Sequence, residues 1–115
     1  MLNRYHRFHG RGSLNRAYSR GQTVRGSLIS LRYSPRPSNK PYRVAVVVSR
    51  KTHKSAVVRN RIRRRIYEHV RRYENVPSST DLIFTVFSEQ VAKMENDRLN
   101  AILDGLLKKV NNNPR

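Results

Sequence analysis

The sequence contains no cysteine and no tryptophan among its 115 residues. Without cysteine there are no disulfide bonds, thiolate metal sites or cysteine nucleophiles. Long apolar runs are also missing, and none approaches the ~18 residues that a membrane-spanning helix requires. The N-terminal arginines are not followed by the apolar segment of a secretory signal peptide. We therefore expect no membrane partner and a cytoplasmic location.

Acidic residues are missing from the first 67 positions, which contain 18 lysines and arginines. The rest of the chain carries seven residues of each sign, so the net charge of +18 comes from the first part. This imbalance is larger than solubility requires and predicts a polyanionic partner. We expect the first part of a single domain to bind nucleic acid and the second part to complete the fold.

Catalytic groupings are absent as well. The basic part has no pair of carboxylates for acid–base or two-metal chemistry, and the seven acids of the second part are scattered. The sequence has neither a nucleophile elbow nor a glycine-rich phosphate loop. We therefore predict no catalytic residue and no protein metal site, and a chain that positions other molecules.

The strongest pattern in the chain is VVRNRIRRRIYEHVRRY, residues 57–73, with Ser55 as the expected N-cap of a helix. Seven arginines share this helix with a single acid, so its charged face needs a polyanion to relieve the repulsion. Arginine also binds one phosphate through two N–H groups and stacks on bases. The helix is therefore predicted to bind nucleic acid. Its apolar positions form one stripe that should face a core: Val58, Ile62, Ile66, Val70 and Tyr73.

Periodicity and turn residues predict the other elements. Strand 42–50 is β-branched and nearly all apolar, so we expect it at the centre of a sheet. The simplest connection pairs it as a hairpin with the preceding strand across a proline-rich loop. The predicted elements are a helix at 13–20, strands at 24–33, 42–50 and 81–87, and a final helix at 91–110.

The predicted helices and strands also give the domain boundaries. Residues 1–12 are expected to be a flexible basic arm, 13–110 a single RNA-binding α/β domain and 111–115 a disordered tail. The order of the elements predicts an α+β fold in which helices cover one side of one sheet. In strand 24–33, alternation places Leu28, Ser30 and Arg32 on one face and the apolar residues Ile29, Leu31 and Tyr33 on the other.

The segment AVVRNRIRRRIYE, residues 56–68, resembles the Arg-Asn-Arg signature of the bacterial ribonuclease P protein subunit. Members of that family are small basic partners of a catalytic RNA that removes the 5′ leader from precursor tRNA. The resemblance extends to RVAVVVSRK before the helix and DLIFTVF after it, and it covers residues 13–110. It implies a two-layer α/β sandwich, ribosomal-protein-like, in which helices pack on one small mixed sheet and a βαβ crossover is left-handed.

The resemblance also implies two RNA-binding regions. The Arg-Asn-Arg triplet falls on residues 59–61 and a following basic pair on residues 63–64, and these contact the catalytic RNA together with neighbouring cations. A cleft for the single-stranded leader lies between the first helix and the open sheet face. The expected RNA-binding residues are Arg59, Asn60, Arg61, Arg63, Arg64, Arg65, Arg71, Lys51 and Lys54. The expected cleft residues are Leu14, Tyr18, Leu28, Ser30 and Arg32.

Three positions depart from the family pattern. Leu14 stands where a phenylalanine is common in the first helix, which removes one stacking platform for a base. Tyr67 stands where an arginine is expected, and Arg65 is close enough on the helix to substitute for it. His53 and Lys54 occupy the place of a glycine before the helix.

The expected partners are ribonuclease P RNA and the 5′ leader of precursor tRNA, with no DNA. Mg²⁺ is expected to be held mainly by the RNA subunit and the substrate, and the protein alone should be inactive. The nearest alternative is a ribosomal or other structural RNA-binding protein, which shares basic tails and a small α+β core. A DNA-binding architectural protein lacks its recognition patterns here, and a stand-alone nuclease lacks its catalytic groups.

Overall fold

The computed structural model describes residues 21–36, 40–73, 76–77 and 79–112. The predicted helix at 13–20 and the arm at 1–12 lie outside these ranges, and so do Leu14 and Tyr18. The described residues form four strands, a 3₁₀ helix and two α-helices. Their bounds are β1 Gln22–Val24, β2 Ile29–Pro35, β3 Arg43–Val48, α1 Ala56–Arg72, β4 Thr80–Val86, the 3₁₀ helix Glu89–Ala92 and α2 Asn96–Asn112.

The strands form one mixed sheet in the order β1-β2-β4-β3. Strand β2 is antiparallel to both β1 and β4, whereas β3 is parallel to β4. Helix α1 connects β3 to β4, so β3, α1 and β4 make a parallel βαβ unit. The predicted α+β class, with helices on one small mixed sheet, is confirmed.

The prediction of a central strand at 42–50 is wrong. Strand β4 lies between β2 and β3, and β3 forms an edge among the described strands. The predicted hairpin across the proline-rich loop is therefore also wrong, because β2 pairs with β4. Six of the seven residues of β4 are buried, whereas Val47 of β3 is exposed. Both strands have a similar apolar composition, which did not distinguish the central position from the edge.

The predicted strand 24–33 is divided into β1 and β2, which pair with each other as a short antiparallel hairpin. The chain reverses at residues 25–28, and Gly26 allows the reversal because its backbone lies against Ile29. A Cβ atom at Gly26 would stand 2.2 Å from the carbonyl oxygen of Ile29. The predicted alternation in β2 is confirmed, since Ile29, Leu31 and Tyr33 are buried.

The core lies between one face of the sheet and the two α-helices. Register places Leu31, Phe84 and Val46 side by side on this face, and all three are buried. The predicted apolar stripe of α1 is confirmed, because three of its members are buried and Val58 and Tyr73 pack partly buried against the core. The buried members are Ile62, Ile66 and Val70.

The final helix differs at both ends from the predicted span 91–110. The chain first makes the 3₁₀ helix Glu89–Ala92. Its N-cap is Ser88, whose Oγ accepts a hydrogen bond from the Gln90 N–H at 3.2 Å. Helix α2 then runs over Asn96–Asn112 and includes two residues of the predicted tail. Residues 113–115 lie outside the described ranges.

The opposite side of the sheet, here called the second face, carries the remaining residues of each strand. Register places Ser30 of β2 opposite Thr85 of β4, and Thr85 opposite Val47 of β3. Ser30 and Thr85 are partly exposed and Val47 is exposed, although Ile83 on the same face is buried. This face therefore offers polar and apolar groups together to a ligand.

Candidate nucleic-acid interface

Helix α1 is fixed at both ends by local hydrogen bonds. The Ser55 hydroxyl accepts from the Val58 N–H at 3.4 Å, which confirms the predicted N-cap. At the other end the Tyr73 N–H donates to the carbonyl oxygens of His69 and Val70 at 3.0 and 3.2 Å. The buried stripe then sets the rotation of the helix, so its remaining sides face solvent.

Arg61 and Arg64 are the freest cations on this helix. Both are exposed, and neither has a hydrogen bond or ion pair with any other residue in the described part of the chain. Arg63 instead donates to the Asn60 side-chain oxygen at 2.6 Å, which orients both side chains. The exposed side of α1 over residues 60–64 thus presents two free guanidinium groups and one oriented Arg–Asn pair to solvent.

Arg59 lies at the first turn, within the apolar stripe, and its side chain turns back to the preceding loop. Its Nη1 donates to the carbonyl oxygens of His53 and Lys54, each at 3.0 Å. The remaining guanidinium N–H groups are able to bind phosphate. Arg59 therefore fixes the loop between β3 and α1 against the helix, and its predicted RNA contact stays a prediction.

Arg65 has a structural function that the sequence did not reveal. Its guanidinium donates to the Val91 carbonyl at 2.6 Å, to the Met94 carbonyl, and to the Asn96 side-chain oxygen at 2.9 Å. Burial lowers the pKa of Arg65, and nearby Arg61 adds to this effect. These bonds connect α1 to the segment before α2 and to Asn96, the first residue of α2, so Arg65 is far less free to bind RNA than Arg61.

The C-terminal half of α1 is partly neutralised. Arg71 donates to the Glu68 carboxylate at 2.8 Å, and Arg72 lies 3.7 Å from it. The hydrogen bond from Arg71 is the main cause of a pKa for Glu68 below its usual range. On the side facing α2, His69 Nε2 lies 2.6 Å from an Asp104 carboxylate oxygen, which ties the two helices together. The freest positive charge therefore lies in the first half of α1.

The loop between β3 and α1 adds further cations. The side chains of Arg50, Lys51 and Lys54 are exposed and have no partner in the described part of the chain. The loop is anchored at Thr52, whose hydroxyl donates to the Val86 carbonyl at 3.1 Å. Of these three cations, Lys51 and Lys54 were predicted to bind RNA and Arg50 was not, although Arg50 precedes Lys51 in the sequence and is also exposed.

The predicted leader cleft is only partly brought together by the described residues. Ser30 and Arg32 lie on the second face, where Arg32 Nη1 donates to the Thr23 hydroxyl at 2.8 Å. Leu28 precedes β2, packs against the core, and lines a pocket with residues of α2 such as Ile102. The leader-binding assignment stays a prediction.

A charged cluster at one end of the second face was missed by sequence reasoning. The Asp81 carboxylate accepts two hydrogen bonds from Arg43, at 2.8 and 2.9 Å, and lies 3.6 Å from Arg36. Burial lowers the pKa of Arg36, Arg43 lowers it further, and Asp81 acts in the opposite direction. The sequence offered one signal for this cluster, because Asp81 is a single acid at the start of a mostly apolar strand in a basic chain.

Within the described ranges, no three His, Cys, Asp or Glu side chains converge to hold a metal ion. None of the helices described is long and apolar enough to cross a membrane.

Comparisons with known proteins converge on one family. A family model described as Ribonuclease P matches residues 2–111. A ribonuclease P protein component from Synechococcus sp. (strain WH7803) is 32% identical over 102 residues, which cover 88% of this chain and 76% of that protein. The component from Synechococcus sp. (strain JA-2-3B'a(2-13)) is 38% identical over 74 residues, which cover 62% of this chain and 56% of that protein.

Solved structures show the same likeness in the fold. The RNase P protein from Thermotoga maritima superimposes with a TM-score of 0.77 at 23% identity, covering 90% of this chain and 96% of that one. At 23% identity this likeness establishes the architecture of the sheet and helices. It does not assign functions to individual residues.

Proposed function

This chain belongs to the ribonuclease P protein family, and we propose that helix α1 binds the catalytic RNA while the second face of the sheet binds the single-stranded 5′ leader of precursor tRNA. As a protein component of this endoribonuclease, it has ribonuclease P RNA as its partner. The family match favours this function over a ribosomal or DNA-binding one. The proposal concerns which surface of the protein meets which RNA.

The observation that carries the proposal is the free state of Arg61 and Arg64 on a helix that is fixed in place. Both guanidinium groups are exposed and unpartnered in the described part of the chain. Because each retains all its N–H donors, each is able to bind a phosphate through two hydrogen bonds. The helix itself is fixed by Arg65 and by its buried stripe, so binding requires little rearrangement of the backbone.

The second face suits a single strand. Arg32 of β2 supplies positive charge there, and two hydroxyl groups lie near it on the same face, that of Ser30 two residues earlier in β2 and that of Thr85 on β4. Single-stranded RNA is bound where cations follow the phosphates and apolar or aromatic groups meet the bases. A protein that holds both RNAs also screens the repulsion between two polyanions, which lowers the requirement for added cations.

In this proposal the protein cleaves no bond and is inactive alone. Mg²⁺ would be held mainly by the RNA subunit and the substrate, where it supplies the Lewis acid for phosphodiester hydrolysis. The protein residues bind and orient the two RNAs. The proposal keeps the cytoplasmic location that was expected from the sequence.

The test is cleavage of precursor tRNA by the source organism's ribonuclease P RNA at low magnesium, with and without the protein. Substrates with a long and a very short leader are compared. The proposal expects the protein to stimulate cleavage, and more strongly for the long leader. Equal stimulation for both leaders would contradict leader binding by the second face. Absence of stimulation would contradict the whole proposal.

A further inference from the structure

Large hydrophobic side chains are rarely exposed in this structure. Among the described residues they are Val47 at 39%, Val57 at 68% and Phe87 at 55% exposure. Val57 stands alone on the first turn of α1. Val47, in contrast, lies near the end of β3, and Phe87 directly follows β4, the parallel strand beside it. Single exposed apolar residues are common on protein surfaces, whereas two that lie together indicate a binding surface.

Strand register places the two side chains on the second face. Val47 pairs with Thr85, and Phe87 follows Thr85 by two residues, so alternation directs Phe87 to the same side. The extended backbone continues past the end of β4, because the Phe87 N–H donates to the Leu28 carbonyl at 2.8 Å. Val47 and Phe87 are thus diagonal neighbours on adjacent strands, which is within reach of an aromatic ring.

The loop between β3 and α1, which carries three exposed cations, is anchored next to Phe87 in the chain. The hydrogen bond from Thr52 to the Val86 carbonyl, 3.1 Å long, fastens the loop between β3 and α1 to the residue before Phe87. Residues 50–54 of this loop and Glu89 line one shallow pocket. Glu89 lies 3.8 Å from His53 and is the acid in this group. The three exposed cations of the loop are Arg50, Lys51 and Lys54.

We propose that Phe87, supported by Val47, is a stacking site for an unpaired RNA base, and that the loop cations bind the adjoining phosphates. An exposed aromatic ring beside a cationic track is the arrangement that binds single strands with little sequence preference. An acidic protein segment is disfavoured as the ligand, because its carboxylates would pair with the loop cations but would leave the Phe87 ring without a stacking partner. The inference rests on the proposed function, since the natural ligand would be the leader.

The proposed site also bears on Leu14. The sequence places a leucine where the family commonly has a phenylalanine, so one stacking platform is missing from the predicted first helix. Phe87 supplies an aromatic ring on the second face, which is the surface that we propose to bind the leader. The proposed stacking site therefore extends the binding surface toward the loop between β3 and α1.

The first experiment uses the reconstituted enzyme with the full-length variant Phe87→Ala. Loss of one base–aromatic stack is expected to weaken binding of a long-leader precursor tRNA by about 5- to 100-fold. Binding of a very short-leader substrate and of ribonuclease P RNA should be unchanged. Phe87→Tyr should bind like wild type, because it keeps the ring. Val57→Ala is the matched control, since it removes an exposed apolar side chain from α1.

An equal loss for long and short leaders, or no loss for either, would overturn the stacking site. A second measurement separates this result from failure of the proposed function. In the full-length Phe87→Trp protein, an unpaired oligoribonucleotide is expected to quench the indole fluorescence, and a duplex of the same sequence is not. Quenching without stimulated cleavage would keep the site and reject the leader function. Stimulated cleavage without quenching would reject the site alone.

Discussion

Asp81 and Arg43 face each other across the parallel strands β4 and β3 and form a two-point ion pair, with hydrogen bonds of 2.8 and 2.9 Å. Only 6% of the Asp81 side chain is exposed, and Arg36 approaches it from a third direction at 3.6 Å. The pair fastens the edge strand β3 to the central strand. It also holds two arginine side chains at one end of the second face.

Asp81→Asn is predicted to destabilise the protein. The substitution removes the charge that offsets Arg43 and Arg36 in a site with little solvent, and breaking such a pair costs up to about 3 kcal/mol. Urea unfolding at neutral pH measures the loss. The matched control is Glu95→Gln, because Glu95 is an exposed acid with no side-chain partner in the described part of the chain. Equal midpoints for both variants would contradict the prediction.

The arginines of α1 are predicted to separate into two classes. Arg61→Ala and Arg64→Ala should each weaken binding of ribonuclease P RNA by a modest factor and lower the salt slope by about one. The free energy of unfolding should change by less than about 0.5 kcal/mol, because neither side chain has a partner in the described structure. Filter binding over a range of salt concentrations, with urea unfolding, measures both quantities.

Arg65→Ala should behave in the opposite way. It removes two hydrogen bonds to the segment before α2 and one to Asn96 of α2, and it leaves the carbonyl oxygen of the buried Val91 without this donor. A loss of roughly 1–3 kcal/mol in the free energy of unfolding is expected. If Arg65→Ala unfolds like wild type and loses RNA affinity as Arg61→Ala does, its structural function is wrong.

Two glycines should respond to alanine with opposite signs. At Gly26 the added Cβ would stand 2.2 Å from the Ile29 carbonyl, so the hairpin between β1 and β2 must shift at a cost of about 1–3 kcal/mol. At Gly105, inside α2, nothing lies within 4 Å of the added Cβ. Gly105→Ala should therefore stabilise the helix by about 0.5–1 kcal/mol. Thermal unfolding followed by circular dichroism compares the two, and shifts of the same sign would contradict the structure.

The ion pair of Glu68 with Arg71 predicts a weak pH dependence. Arg71, as the leading cause, lowers the pKa of Glu68 to about 2. Because the folded pKa is lower than the unfolded one of ~4.3, the stabilisation is present above pH ~4.3 and is lost as the pH falls toward the folded value. NMR titration of Glu68 in Arg71→Gln should show a higher pKa than in wild type. An unchanged titration curve would show that Arg71 is not the cause.

Local patterns in the sequence predicted local structure well. The spacing of Ile62, Ile66 and Val70 fixed both the existence of α1 and its buried side, because helical periodicity depends only on neighbouring residues. The same holds for the alternation in β2. The charge imbalance likewise placed the excess positive charge in the first 67 residues, and the arginine-rich pattern placed part of that charge on α1.

Relationships across long stretches of chain were not predictable in this way. Strands β3 and β4 look alike in composition, and only the pairing of distant segments decides which is central. The partners of Arg65 lie 26 to 31 residues further along the chain, and two of them are backbone carbonyl oxygens, which leave no mark on side-chain patterns. The division at Gly26 was not predicted, although Arg25, Gly26 and Ser27 form a short polar segment with a glycine, which is a turn signal.

The position of β4 has a consequence for synthesis of the protein. The strand that joins both halves of the sheet is the last of the four described strands to be translated. Until it leaves the ribosome, β3 has no strand to pair with and α1 has no complete core to pack on. The 18 cations of the first 67 residues are by then already made, with no acid among them. The nascent chain therefore exists as an open polycation first, and closure of the sheet is a late, non-local step.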